Sequence, residues 1–131
     1  ISLLWSLHLA YGALGLGLIL LGASYFTPLI PFSSGLHVIT VGAMGLMILS
    51  MMSRVSLGHT GRPLQVKPIL TCAFLLIASA ALIRFIGVNL APQSPVLALQ
   101  ISGLCWLASY GIFTWLYWPV LTKARVDGRP G

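Results

Sequence analysis

The sequence predicts an all-α, polytopic membrane protein: four transmembrane helices in an up-down bundle, with both termini in the cytoplasm. Three observations carry this. The 131 residues are 58% hydrophobic and only 6% charged, whereas soluble domains carry about 25% charged residues. The apolar residues fall into four runs, each near the ~20 residues needed to cross a bilayer. Seven basic residues stand against one acidic residue, Asp127, and all the basic ones but Arg84 gather in or beside the gaps between runs. A net charge of +6 placed in this way argues for membrane topology and against nucleic acid as a partner.

The four runs form one domain, 1–131. The first spans about 4–26 and ends at the pair Pro28 and Pro31. It is too long and too rich in glycine and tryptophan for a signal-peptide core, and no A-x-A site follows it. The chain opens on Ile1 without an initiator Met, so a fragment or a processed chain is expected. The second run spans about 34–53 and is ended by Arg54. The third spans about 67–90 and is stopped by Pro92 and Pro95. The fourth spans about 95–118 and is stopped by Pro119. Proline suits the first turn of a helix and terminates one elsewhere, so Pro68 and Pro95 read as helix starts.

Orientation follows from charge. Loop 54–66, the start of the third run and tail 122–131 hold Arg54, Arg62, Lys67, Lys123, Arg125 and Arg129, while loops 27–33 and 91–94 hold no charge. The positive-inside rule places the charged side in the cytoplasm. Trp115, Tyr117 and Trp118 fall at that end as an interfacial aromatic belt. The runs contain no GxxxG motif, and the chain shows no internal repeat.

With ~1.5 Å of rise per residue, His8 lies about 11 Å to the cytoplasmic side of the midplane and His37 about 10 Å to the other side. Arg84 lies about 7–8 Å from the midplane on the side of His37. His37 and Arg84 therefore share a layer. His8 and His37 do not, and cannot bind one metal ion. Cys72 and Cys105 differ in depth by about 13 Å, too far for a disulfide.

Periodicity gathers residues of chemical interest. His37, Thr40, Met44, Met47, Met51 and Arg54 recur on one helix face, as a wall lining a cofactor or as methionines filling core gaps. No carboxylate exists in the membrane to pair with His37, which makes it a metal-ligand candidate. His8, Gly12, Gly15, Ile19 and Gly22 share a face of the first helix. That face suits close approach of a flat macrocycle or of another backbone. Arg84 either snorkels to the outer interface or pairs with a carboxylate brought by a ligand, such as a haem propionate. Gln100, Gly103, Tyr110, Thr114 and Tyr117 make a mildly polar stripe expected to face the bundle. In the loop, His59 is a candidate ligand near the layer of His8. Arg54 and Arg62 either set topology or hold an acidic group or an anionic lipid.

The segment HVITVGAMGLMILSMMSRVSLGHTGRP, His37 to Pro63, closely resembles the signature of the NnrS family. WSLHLAYGALGLGLILLG, Trp5 to Gly22, and ARVDGRPG, Ala124 to Gly131, are similar to it too. The whole chain resembles the C-terminal part of that family, as a short member or a piece of a longer protein. The resemblance implies a multi-pass protein of the bacterial inner membrane, associated with nitric oxide stress and denitrification and containing haem and copper. It picks out His8, His37, His59 and Arg62. Combined with the stripes, this makes His37, His8 and His59 candidate metal ligands, and His37, Arg84, Met44 and Arg62 candidate cofactor contacts. The implied partners are the bilayer, haem, nitric oxide or a related small molecule, and further helices of a longer chain or a second copy. The other class left open is a non-catalytic packing module of a larger membrane complex.

Overall fold

In the computed structural model, which describes residues 2–130, four helices are long and apolar enough to span a bilayer: α1 (Ser2–Ser24), α2 (Phe32–His59), α3 (Pro68–Leu90) and α4 (Pro95–Thr122). Ile1 and Gly131, the ends of the expected domain, lie outside the described residues.

Two helix ends differ from the sequence expectation. α2 does not stop at Arg54 but runs on to His59, so the loop is 60–67. Arginine is a good helix former, and Arg54 is exposed, free to send its charge to water. The 28 residues of α2 amount to about 42 Å, more than the ~30 Å hydrocarbon core; its last turns stand beyond the apolar slab. Likewise α4 continues through Pro119 to Thr122. Proline removes a single N–H near the end of the helix. The Thr122 hydroxyl donates to Trp118 O at 2.7 Å, and the Lys123 N–H closes on Pro119 O at 3.2 Å.

α2 is not a continuous α-helix. Residues Val38–Met44 form a π-helical stretch between α-helical Phe32–His37 and Gly45–His59. The β-branched run Val38 to Val41 is crowded against the preceding turn of an α-helix, and the wider π turn relieves it. Such stretches rephase a helix and recur at functional sites.

α2 occupies the middle of the bundle. α1 packs along one flank of it, the α3–α4 hairpin packs on the other, and α1 meets α3 and α4 only sparsely. The centre holds Leu46, Leu49, Leu70, Phe74 and Ile77, with Trp5 edge-on to Phe74 at 6.1 Å. The seams are made by small residues, as expected where lipid is as apolar as leucine. Gly17 of α1 faces Gly35 of α2: a Cβ on Gly35 would stand 2.9 Å from Gly17 O and 2.8 Å from Leu21 N. Ser102 and Ser109 of α4 donate to Ala80 O and Ala73 O of α3, both at 2.7 Å. The two bonds repeat at the same seven-residue spacing on each helix, so they fix one antiparallel register. Interhelical hydrogen bonds of this kind average about 0.6 kcal/mol each.

Candidate functional site

At the uncharged end, α2 and α3 bring together His37 and Arg84. His37 is the last residue before the π stretch, and its Nδ1 lies 2.6 Å from Ser33 O, one turn back. A carbonyl only accepts, so Nδ1 carries the proton and Nε2 offers a lone pair. Arg84 Nη2 donates to that lone pair at 3.0 Å. Beside it, the Ser34 hydroxyl donates to Asn89 Oδ1 at 2.8 Å, and Asn89 Nδ2 donates to Phe85 O at 2.7 Å. These groups edge a hollow of about 20 Å³, room for one water. The sequence placed His37 and Arg84 in one layer, and they meet there. The His37 atom that would hold a metal is engaged by the arginine.

His8 is different. Its Nδ1 donates to Leu4 O at 2.8 Å, which fixes the same tautomer and leaves Nε2 without a partner among the described residues. The ring is exposed, as are Gly12, Gly15, Ile19 and Gly22 on the same face. The buried side of α1 is formed by Leu3, Ser6, Ala10 and Gly17, which by helix geometry lies opposite. A Cβ added at Gly12, Gly15 or Gly22 would meet nothing within 4 Å. His8, Gly15, Ile19 and Gly22 thus point away from the rest of the chain, while Gly12 borders a cavity between α1, α2 and α3.

The α2 stripe does not hold together. His37 turns toward Arg84, while Thr40 is exposed and Met44 and Met51 are 49% and 43% exposed; Arg54 is exposed as well. Only Met47 packs partly on the core. The π stretch between His37 and Met44 breaks the 3.6 phase on which the stripe was read. The stripe expected to turn α4 inward is also corrected. Gln100, Gly103 and Thr114 are exposed, and the buried face is Ser102, Ser109, Phe113 and Tyr117. Of the expected set, only Tyr117 is buried, and Tyr110 reaches in to donate to Gly45 O at 2.9 Å.

The Ser50 hydroxyl donates to Ser6 Oγ at 2.7 Å and so sets the α1–α2 register. His8 lies two residues deeper than Ser6, and His59 nine residues beyond Ser50 in the other direction. Along the axis they are about 16 Å apart, which corrects the expectation that His59 lies near the layer of His8. His8 and His37 are also about 16 Å apart on the same measure. Among the described residues, no three His, Cys, Asp or Glu side chains come together as a metal site. Cys72 and Cys105 are both free thiols.

At the charged end the tail folds back onto the loop after α2. Arg125 donates to His59 O and is ion-paired with Asp127. The Val126 N–H donates to Thr60 O at 3.3 Å, and the Arg129 N–H donates to Asp127 Oδ1 at 3.2 Å. Asp127 sits over Gly61, whose φ is +72°; a Cβ there would be 2.7 Å from the carboxylate. The Arg125 guanidinium, helped by the Arg129 N–H, pulls the Asp127 carboxyl down to about 2. Arg62 turns toward α4 and donates to Val120 O at 3.4 Å. Sequence reasoning missed this docking, although it left a mark. The tripeptide Gly-Arg-Pro occurs at 61–63 and again at 128–130, and both glycines take the same left-handed φ of +72°.

Residues 1–125 match the model of the family described as NnrS protein. No curated protein and no solved structure matches the chain significantly.

Proposed function

The chain belongs to the NnrS family, and on that premise we propose that it is a haem-binding protein of the nitric oxide stress response, in which His8 would hold the haem iron. It is a polytopic, all-helical membrane protein of the bacterial inner membrane. The observation that carries the haem reading is the state of the His8 ring. Nδ1–H is tied to Leu4 O, the arrangement that orients metal-binding histidines, and Nε2 is free on a face lined by glycine. A planar group can approach that face closely. Bound haem would supply an iron with a coordination position for a diatomic gas. The chain's own residues hold the imidazole tautomer and give access to it.

His37 serves this reading less well, because Arg84 holds its Nε2. Arg84 keeps further N–H groups for a carboxylate from outside the chain. Copper does not fit the chain alone: His8 and His59 are too far apart, so a copper ion would draw donors from elsewhere. Further helices or a second copy would complete the outward face of α1.

The absorption spectrum of the purified protein tests the proposal. A Soret band that is lost in His8→Ala and kept in His37→Ala is the expected result. A band unchanged at full occupancy in His8→Ala removes His8 as a ligand. The same glycine face would also accept a neighbouring helix. No Soret band in the intact protein would favour that packing role over cofactor binding.

A further inference from the structure

The geometry points to a binding site for an anionic phospholipid at the charged end of the bundle, with its phosphate between Arg62 and Lys67. A cavity of about 280 Å³ opens between the loop, the start of α3 and the end of α4. Its inner wall is apolar, made by Leu57, Leu70, Leu116 and Val120, and Arg62 and Lys67 stand among the residues around it. A second cavity of about 540 Å³ is lined by Lys67, Leu116, Trp115 and Trp118. Lys67 and Leu116 border both, so the two hollows form one surface with a cation between them.

Among the described residues, neither cation has an acidic partner. The only carboxylate side chain, Asp127, is held by Arg125. Arg62 spends one N–H on Val120 O and keeps the rest. Lys67 is the N-cap residue of α3, followed by Pro68, so the positive end of that helix dipole adds to its charge. Trp115 and Trp118 are 70% and 66% exposed beside it, where indoles mark the headgroup level of a bilayer. A cationic rim above an apolar wall at the interface fits a molecule with an anionic head and acyl chains. Basic pockets between helices recognise such headgroups. A free phosphate would leave the leucine and tryptophan wall without a purpose. Arg54 is exposed on α2 and borders neither cavity, so it is a matched control.

The test is quenching of tryptophan fluorescence by brominated lipids in vesicles. Trp5 and Trp106 are replaced by Phe, leaving Trp115 and Trp118 as reporters. Brominated phosphatidylglycerol, diluted in phosphatidylcholine, should quench more strongly than brominated phosphatidylcholine at the same mole fraction. Each lipid-facing cation is worth about fivefold in lipid association. The preference should therefore fall about fivefold in Arg62→Gln or Lys67→Gln, vanish in the double variant, and survive in Arg54→Gln. The charge-keeping double variant Arg62→Lys with Lys67→Arg should retain it. Excess inorganic phosphate should leave it unchanged. Equal quenching by the two lipids overturns the proposal, and so does a preference that survives the double variant. Loss on adding phosphate would mean a soluble-anion site instead. Absence of quenching by either lipid would mean that protein covers the cavity, which also overturns it.

Discussion

Arg84 donates to His37 Nε2 at 3.0 Å, so a cation and a neutral imidazole hold α3 to α2 without any carboxylate. Both partners lose when one is removed, because the survivor is left unsatisfied in a poor solvent. His37→Ala and Arg84→Ala should each destabilise by about 1–3 kcal/mol, and the double variant should cost less than the sum. Detergent-unfolding midpoints of the three variants give the coupling. Strict additivity would show that the contact carries no energy.

The glycines of α1 and α2 should behave oppositely according to the face they occupy. Gly35→Ala drives a methyl into the backbone of α1 and should cost about 1–3 kcal/mol, as overpacking does. Gly12→Ala and Gly15→Ala meet open space within the chain and should leave the thermal midpoint of the isolated chain near that of the parent. A loss at Gly12 as large as at Gly35 would place a second helix against that face.

The serine pair on α4 offers a finer measurement. Ser102→Ala and Ser109→Ala should each cost about 0.6 kcal/mol, since each removes one bond to an α3 carbonyl already used within its own helix. The two sites are two turns apart, so their effects should add. Unfolding of the single and double variants in detergent checks both statements. A cost above about 2 kcal/mol for either alone would exceed this class of interaction.

Acid should release the tail. Asp127 has its pKa lowered from 3.8 to about 2 by Arg125 and the Arg129 N–H. A carboxyl with a lowered native pKa contributes stability above its unfolded value and loses it as pH falls through the native one. The docked tail should therefore be intact above about pH 4 and let go between about pH 4 and pH 2. Hydrogen-exchange protection at the Val126 amide, which donates to Thr60 O, reports it directly. In Asp127→Asn the protection should be weak and independent of pH across that window.

Topology rests on charge asymmetry: six cations, Arg54, Arg62, Lys67, Lys123, Arg125 and Arg129, lie at one end, and the two opposite loops have none. We infer that this end is cytoplasmic. A reporter fused after Gly131 should be active only if it stays in the cytoplasm. A periplasmic signal there would invert the assignment.

The spans were legible because prolines bracket them: Pro28 and Pro31, then Pro92 and Pro95. Arg54 and Pro119 misled because each was read as a breaker, although a helix tolerates a charge or a missing N–H where its end meets water. The facing of the helices was not legible. The buried positions include Ser6, Ala10, Ser50, Ala73, Ser102 and Ser109 beside the central Leu46 and Phe74, while Leu18, Ile19 and Trp115 point outward. Hydropathy therefore does not separate core from lipid. Depth alone put His37 and Arg84 in one layer, but their hydrogen bond was not legible. Nor was the phase of Met44, because nothing in the regular periodicity announces a π turn. Charge and a family-like ending were all that the sequence offered for the tail, although its contacts with residues 59–61 reach across half of the chain's length.

That docking has a consequence for biogenesis. The carbonyls of His59 and Thr60 at the end of α2 find their donors in Arg125 and Val126, which the ribosome adds more than sixty residues later. Until α4 has been threaded into the bilayer, the end of α2 stays unfinished and open to water. The last residues made are the ones that close it. A stop codon just after α4 would leave four inserted helices and still lack the clasp.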